Sequence, residues 1–309
     1  MRLLRGSKTR SDFASGCVAT IGNFDGVHLG HQALLQRLRA EGERRGLPTL
    51  VMLFEPHPQE FFARGSERQP PARLLRLREK LERLHALGVD AVQVLRFNRT
   101  LSQLPAEDFI SVWLEQRLKV QHLVIGDDFR FGHQRRGDFA LLQAAKAFSS
   151  EASATVLLDG ERVSSTAIRQ ALANEQFENA ARMLGQRYAL SGKVAHGDAR
   201  GRLLGFPTAN LRLHRAVLPL NGVYAVQVHG LAERPLPGVA NIGNRPTVNG
   251  KEPRCETHLF DFTGDIYGKR IAVEPLRKLR GEQKFDGLDA LKAQIARDAE
   301  QARAFFAAS

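Results

Sequence analysis

The stretch IGNFDGVHLGHQALL, residues 21–35, joins a short apolar run to an amphipathic pattern through a turn with three glycines and two histidines. Residues 17–21 (CVATI) read as a buried parallel strand, and Leu34, Leu35 and Leu38 give the following segment a helical core stripe. Gly22, Gly26 and Gly30 let the backbone turn tightly and come close to a ligand. Together with Asn23, Phe24 and Asp25 they form a turn that delivers the chain to a helix N-terminus, where free N–H groups favour an anion. The expected occupant is a phosphate, with His28 and His31 beside it.

The spacing HxGH suits nucleotidyl transfer. Charge grows on the α-phosphate and on the departing pyrophosphate, so the reaction is helped mainly by positioning and by preorganised donors. A helix N-terminus disfavours an imidazolium, so at least one ring is expected to donate as a neutral N–H. A bare HxGH read alone is better explained by a loop cap at His28 and a helix start at His31; the order strand, Gly-rich turn, helix is what turns the reading to a phosphate site.

The chain has 309 residues, 25% charged and 7% aromatic, and a net charge of +12. That length suggests two domains. No apolar run is long enough to span a membrane, and the basic opening MRLLRGSKTRSDFASG lacks an apolar signal core, so a cytoplasmic protein is expected. Cys17 and Cys255 lie far apart and outside any CxxC, which suggests neither a zinc site nor a disulfide framework. Both read as small buried apolar groups. The positive excess is spread through both halves, and one Trp and three Tyr offer little for stacking on bases. A basic solvated surface that attracts polyphosphates is expected, without a nucleic-acid partner.

Residues 1–186 alternate strand candidates (49–54, 91–95, 122–125, 155–158) with helical patterns, one carrying Leu74, Leu77, Leu81 and Leu84 and another Phe109, Val112 and Trp113. This βα alternation predicts a parallel sheet covered on both faces, with ligands at the carboxyl ends of its strands. Residues 187–309 change character. Gly, Pro and Asn punctuate short runs at 188–194, 223–228, 239–242, 257–262 and 271–273, which predicts an antiparallel barrel or sandwich. A terminal helix follows, with Leu288, Leu291, Ile295 and Phe305 expected on its buried side.

Other motifs fall where the first sheet would present loops: FEPHP (54–58), GDDFRFGHQRRGD (126–138) and SSTAIR (164–169). In the second half, GDARGRLLGFPTANL (197–211) combines a Gly-rich turn with a Thr and an Asn two residues apart. That spacing puts Thr208 and Asn210 on one face of a strand, able to hold a hard cation against phosphate oxygens. From PTAN alone, a glycine loop followed by an ordinary turn is the better reading; the loop together with Glu256 turns it toward a cation site.

With these motifs in order, the sequence resembles the bifunctional bacterial riboflavin kinase/FMN adenylyltransferases, the prokaryotic FAD synthetases, over almost its whole length. The matching segments of the second half are LGFPTANL, GVYAV, ANIGNRPT, CETHLFDF and YGKRIAVEPLRKLRGEQKF. The resemblance implies an α/β chain: an N-terminal Rossmann-like HxGH nucleotidyltransferase domain, then a C-terminal six-stranded antiparallel β-barrel with a terminal helix. It implies ATP, riboflavin and FMN as substrates, Mg²⁺ as cofactor, and a monomer or weak homo-oligomer.

For the first domain the resemblance assigns His28, His31, the 22–26 turn, Asp128 and Arg135 to the nucleotide. Ser164, Ser165, Thr166 and Arg169 go to pyrophosphate, and His57, Phe62 and Phe129 to the flavin. For the second it assigns Gly197, Gly201, Arg202, Gly205, Phe206 and Pro207 to ATP, Thr208 and Asn210 to the metal, and Glu256 as general base. Arg277, Arg280, Glu282 and Phe285 go to the flavin. Val248 departs from the aromatic residue common after RPT in relatives. Three other readings stay open at this point: an HxGH transferase carrying a passive barrel, an RNA-binding protein, and a flavin-storing protein without turnover.

Overall fold

The computed structural model describes residues 1–6, 13–66, 69–196, 205–247 and 250–308. The chain forms two compact units, Met1–Ser165 and Thr166–Ser309.

In chain order the first unit contains β1 (Arg2–Arg5), β2 (Cys17–Ile21), α1 (Leu29–Arg45), β3 (Thr49–Glu55), α2 (Pro58–Ala63), α3 (Leu77–Ala86), β4 (Ala91–Arg96), α4 (Arg99–Ser102) and α5 (Ala106–Phe109). A π-helical stretch Ile110–Arg117 continues α5, and β5 (Val120–Gly126), α6 (Phe139–Ala144), β6 (Ser149–Ser153), β7 (Leu157–Leu158) and β8 (Glu161–Arg162) complete it. The six-stranded sheet runs β1-β4-β3-β2-β5-β6 and is parallel throughout.

All five residues of β2 are buried, as befits a central strand with both faces covered. Cys17, Ala19 and Ile21 pack on one side with Trp113, Leu123 and Ile125; Val18 packs on the other with Leu34, Leu35 and Leu38 of α1. The two-residue alternation thus splits the core into two layers. Leaving β2, the chain goes to β3 on one side, and β5 later lines the other. The carboxyl end of β2 is therefore the topological switch point, where open α/β sheets bind ligands. α1 ends in a left-handed Gly46 (φ 63°) whose N–H returns to Glu43 and Gly42, with Arg44 and Arg45 in its last turn.

Two strands depart from the sequence expectation. The sixth strand is β6, SSEAS, rather than 155–158; as an edge strand with partly exposed residues it needs no apolar repeat. The apolar residues Leu157 and Leu158 instead form a two-residue hairpin with Glu161 and Arg162, and Leu157 is 58% exposed. β1, at the other edge, buries only Leu4 and so carries little pattern.

The second unit holds α7 (Ser165–Ala173, entered from the first unit through Ser165), α8 (Phe177–Leu184), β9 (Leu190–Ala195), β10 (Ala209–Arg212), β11 (Gly222–His229), β12 (Leu236–Thr247), β13 (Gly250–Leu259), β14 (Arg270–Arg280) and α9 (Leu288–Ala307). The strands close into an antiparallel barrel, β10-β13-β12-β11-β14-β9. The segment before residue 187 packs with this barrel: Glu175 pairs with Lys278 at 3.0 Å and the Phe177 ring meets Tyr224 at 6.1 Å.

The terminal helix departs from the expected stripe. Leu288 is 69% exposed, Leu291 and Ile295 are half-buried, and the buried positions are Asp298, Ala299 and Ala302. Alanines let α9 approach Val223, Ala225 and Val239 closely, with Phe305 packed beside them. Asp298 is there because Arg280 forks onto its carboxylate at 2.8–3.0 Å.

Candidate active sites

In the first unit the chain leaves β2 and turns at residues 22–28 before α1. His28 is the N-cap of α1, and its Nδ1 accepts the backbone N–H of His31 at 3.4 Å. That acceptor role puts the ring proton of neutral His28 on Nε2. The two imidazoles stack with centroids 3.7 Å apart, and Phe24 lies 4.8 Å from His31. His31 Nδ1 is buried without a partner among the described residues. Burial, then the neighbouring His28 and Lys80, hold the pKa of His31 well below the usual imidazole value, so this ring is neutral. At Gly30 a Cβ would sit 3.2 Å from the His28 ring, a tight contact that glycine avoids. Leu29 and Gly30, at the start of α1, have no intrahelical acceptor for their N–H groups.

The turn is held from behind. Asp25, 3% exposed, accepts the amides of Leu74 and Leu75 at 3.0–3.2 Å, and its carbonyl accepts Ser165 Oγ at 2.8 Å. Phe24 is 1% exposed and, like Val27, has positive φ (48° and 45°). Such a conformation in a bulky or β-branched residue is kept only by strong surroundings. Of the residues expected to touch phosphate, Asp25 and Phe24 thus shape the turn, while His28 and His31 stand together at its end.

The other expected residues fall into separate groups. His57 caps α2 by accepting the Gln59 N–H at 3.2 Å, and burial lowers its pKa to about 4. Phe62, 62% exposed, joins Phe61 and Phe97 in edge-to-face contacts, while Phe129 stacks on Phe131 at 5.5 Å. Asp128 pairs with Arg162 at 2.7 Å. Arg135 is exposed, with φ 60°. Ser164 precedes α7, and Thr166 and Arg169 lie on it.

Glu41, His122 and Glu151 bring three metal-ligating atoms within 4.8 Å. Arg37, Arg44 and Arg45 already engage the two carboxylates, so the cluster is charge-compensated without an ion.

In the second unit, strand register assembles the chemistry. Glu256 on β13 lies directly opposite Asn210 on β10 and Asn241 on β12, so the three side chains share one barrel face. Thr208, two residues before Asn210, is half-buried at the entry to β10. The Arg254 guanidinium donates to Glu256 Oε1 at 3.1 Å, and His258 Nδ1 donates to the Pro207 carbonyl at 2.9 Å. The Phe206 ring lies 5.4 Å from His258, and Gly205 has φ 84°. A Cβ on Gly243 would collide with the Glu282 carboxylate, which therefore lies against β12 on the same face as Asn241. Arg277 reaches over the Phe305 ring and Arg280 over Phe285, while the Arg280 guanidinium is also committed to Asp298. Gly197, Gly201, Arg202 and Val248 lie outside the described residues.

Two family models match in succession: FAD synthetase over residues 10–167 and riboflavin kinase over residues 184–306. The chain is 54% identical to the bifunctional riboflavin kinase/FMN adenylyltransferase of Escherichia coli (strain K12), covering 99% of this chain and 98% of the relative. The chain belongs to the bifunctional riboflavin kinase/FMN adenylyltransferase family. The relative of that description from Haemophilus influenzae is 48% identical over 99% of both chains. The crystal structure of a protein described as a macrolide-efflux protein from Streptococcus pneumoniae is similar with a TM-score of 0.79 and 31% identity, covering 98% of this chain and 99% of that one. Among the described residues no helix is long and apolar enough to cross a membrane. With both domains of the family matched, the reading of one transferase carrying a passive barrel falls.

Sequence reasoning missed Asn241, whose place opposite Glu256 depends on pairing across the barrel. It also missed two cations of α3, Lys80 and Arg83, which reach the 22–28 turn. A lysine inside the Leu77–Leu81–Leu84 stripe was the available signal.

Proposed function

We propose that the two activities of this family are carried in this chain by separate sets of residues, one in each unit. The chain is an enzyme with riboflavin kinase and FMN adenylyltransferase activities. What supports the assignment for the first unit is the stacked His28–His31 pair at the N-terminus of α1, at the switch point of a parallel sheet.

At that site a phosphate oxygen of FMN attacks the α-phosphorus of ATP in line. The new P–O bond forms as the bond to the bridging oxygen breaks, and pyrophosphate leaves with the electron pair. The FMN phosphate is largely ionised near neutral pH, so no general base is required. The work falls to donors: His28 Nε2–H, the neutral His31 ring and the Leu29 and Gly30 amides at the start of α1, aimed where charge develops. Ser164, Ser165, Thr166 and Arg169 are read as lining the pyrophosphate side, Asp128 and Arg135 the nucleotide, and His57, Phe62 and Phe129 the flavin, on the strength of their match to the family motif.

At the second site the nucleophile is a neutral ribityl hydroxyl of riboflavin, so a base is useful, worth roughly 10²–10⁴-fold. Glu256 takes that proton as the hydroxyl oxygen bonds to the γ-phosphorus and ADP departs. Arg254 orients the carboxylate. A Thr hydroxyl, an Asn carbonyl and a carboxylate on one face form a hard oxygen donor set that fits Mg²⁺. Thr208 and Asn210 would hold the ion, which neutralises phosphate charge when bound. By their match to the family motif, Gly205, Phe206 and Pro207 are read as shaping the ATP side, Gly197, Gly201 and Arg202 as further ATP-binding residues, and Arg277, Arg280, Glu282 and Phe285 as the flavin segment. The reading includes a cytoplasmic location, a monomer or weak homo-oligomer, and no nucleic-acid partner.

Chromatography of flavins after incubation with ATP and Mg²⁺ tests this. Glu256→Gln should slow riboflavin-to-FMN conversion by about 10²–10⁴-fold and leave FMN-to-FAD conversion at the parent rate. Loss of both, or of neither, contradicts the assignment.

A further inference from the structure

Helix α3 reads as a core helix, yet it buries a cation. Lys80 is 4% exposed, and its Nζ donates to the carbonyl of Asn23 at 2.5 Å. Three residues on and on the same helical face, Arg83 Nη1 donates to the carbonyl of Gly26 at 2.8 Å. Just before α3, the amides of Leu74 and Leu75 hold the Asp25 carboxylate. One stretch, residues 74–83, thus grips three points of the turn that leads to His28.

A leucine at position 80 would satisfy the core at lower cost, because an ammonium taken out of water loses its hydration. Burial pushes the Lys80 pKa down, while Asp25, Glu55 and Glu60 oppose that shift and Arg73 adds to it. The charge has a use in the turn itself. A carbonyl oxygen presented to a triphosphate repels it, and a cation bonded to that oxygen both fixes its direction and cancels its negative end.

We propose that Lys80 and Arg83 are positioning residues for adenylyl transfer, holding the Asn23 and Gly26 carbonyls so that the amides of the turn and the two imidazoles are aimed at the ATP phosphates. This rests on the reading of the His28–His31 turn as the FMN adenylyltransferase site. Neither cation is a transition-state donor; each acts through the backbone it holds.

The test uses the full chain as Lys80→Met, Arg83→Met and Arg83→Lys, with His28→Ala/His31→Ala as reference. It measures kcat and KM for FMN-to-FAD conversion and, on the same preparations, riboflavin phosphorylation and thermal unfolding. A shift of about 1 Å at a reacting group can cost on the order of 10²-fold. Lys80→Met should therefore lower kcat of FAD formation by about 10- to 100-fold, leaving KM for FMN and the kinase rate as in the parent. Arg83→Lys should recover most of what Arg83→Met loses, because it restores a cation at Gly26. A structural role alone would lower unfolding temperature without a selective fall in kcat and would not be rescued by charge. Parent-like kcat in Lys80→Met, or equal losses in the two Arg83 variants, overturns the proposal. If Lys80→Met does not fold, the Arg83 pair decides alone. If His28→Ala/His31→Ala keeps full FAD synthesis, the site reading beneath the proposal is what fails.

Discussion

His28 and His31 are joined twice: their rings stack at 3.7 Å, and the Nδ1 of His28 accepts the backbone N–H of His31 at 3.4 Å. The same atom that caps the helix therefore selects the tautomer that carries its proton on Nε2. Replacing both residues by Ala should suppress FAD synthesis strongly, since each lost transition-state donor costs about 10²–10³-fold. Riboflavin phosphorylation should persist, which flavin chromatography will show.

Cap and catalysis can be separated at position 28. His28→Ala removes the capping acceptor and should destabilise the first unit by about 1 kcal/mol. His28→Asn restores an acceptor at the cap, so its unfolding midpoint should return toward the parent while FAD synthesis stays low. Recovery of both together would show that His28 serves only as a cap.

Asp25 is predicted to matter for folding before chemistry. Asp25→Ala strands the amides of Leu74 and Leu75 in the interior, where an unpaired polar group costs about 1–3 kcal/mol. Denaturant unfolding should show a loss of at least that size. A parent-like midpoint would mean that these amides find other partners.

How much of this was legible in the sequence depended on how local each signal is. β2, α1 and the HxGH turn were legible because their residues are consecutive and their burial is periodic. β6 was not, because an edge strand of Ser, Glu and Ala satisfies its backbone without an apolar face. Leu288 misled because the helical period gives a face but not where contact with the barrel begins; close approach is set by Ala299 and Ala302. Asn210 and Glu256 were legible as residues, but their meeting with Asn241 needed the barrel register. Both cysteines are fully buried as expected.

The cysteines give a chemical check. Burial pushes both thiols up to about 12, so little thiolate exists near neutral pH. Thiol-reactive dye should label the folded chain slowly and the denatured chain at once. Rapid labelling of Cys255 with protection by ATP would place that thiol at an open site instead.

Acid stability should depend on Glu41. Hydrogen bonds from Arg44 first, and then Arg45, pull its carboxyl down from 4.5 to about 2. The folded chain thus holds the carboxylate more tightly than the unfolded chain. This stabilisation is fully present above pH 4.5 and is lost as pH falls toward 2. Glu41→Gln should flatten the fall of the unfolding temperature across that window. Parallel curves for variant and parent would remove Glu41 from the acid response.

The central claim, two complete and separate sites, is tested most directly by mixing two crippled chains. With riboflavin, ATP and Mg²⁺, over a time in which the parent completes both steps, the His28→Ala/His31→Ala chain should accumulate FMN with little FAD, and the Glu256→Gln chain should leave most riboflavin unconverted. Combined in one vessel, they should yield FAD after a lag as FMN accumulates, because each supplies the step the other lacks. If each chain retains its own half-reaction but the mixture still makes no FAD, the two sites do not work independently and the account is contradicted.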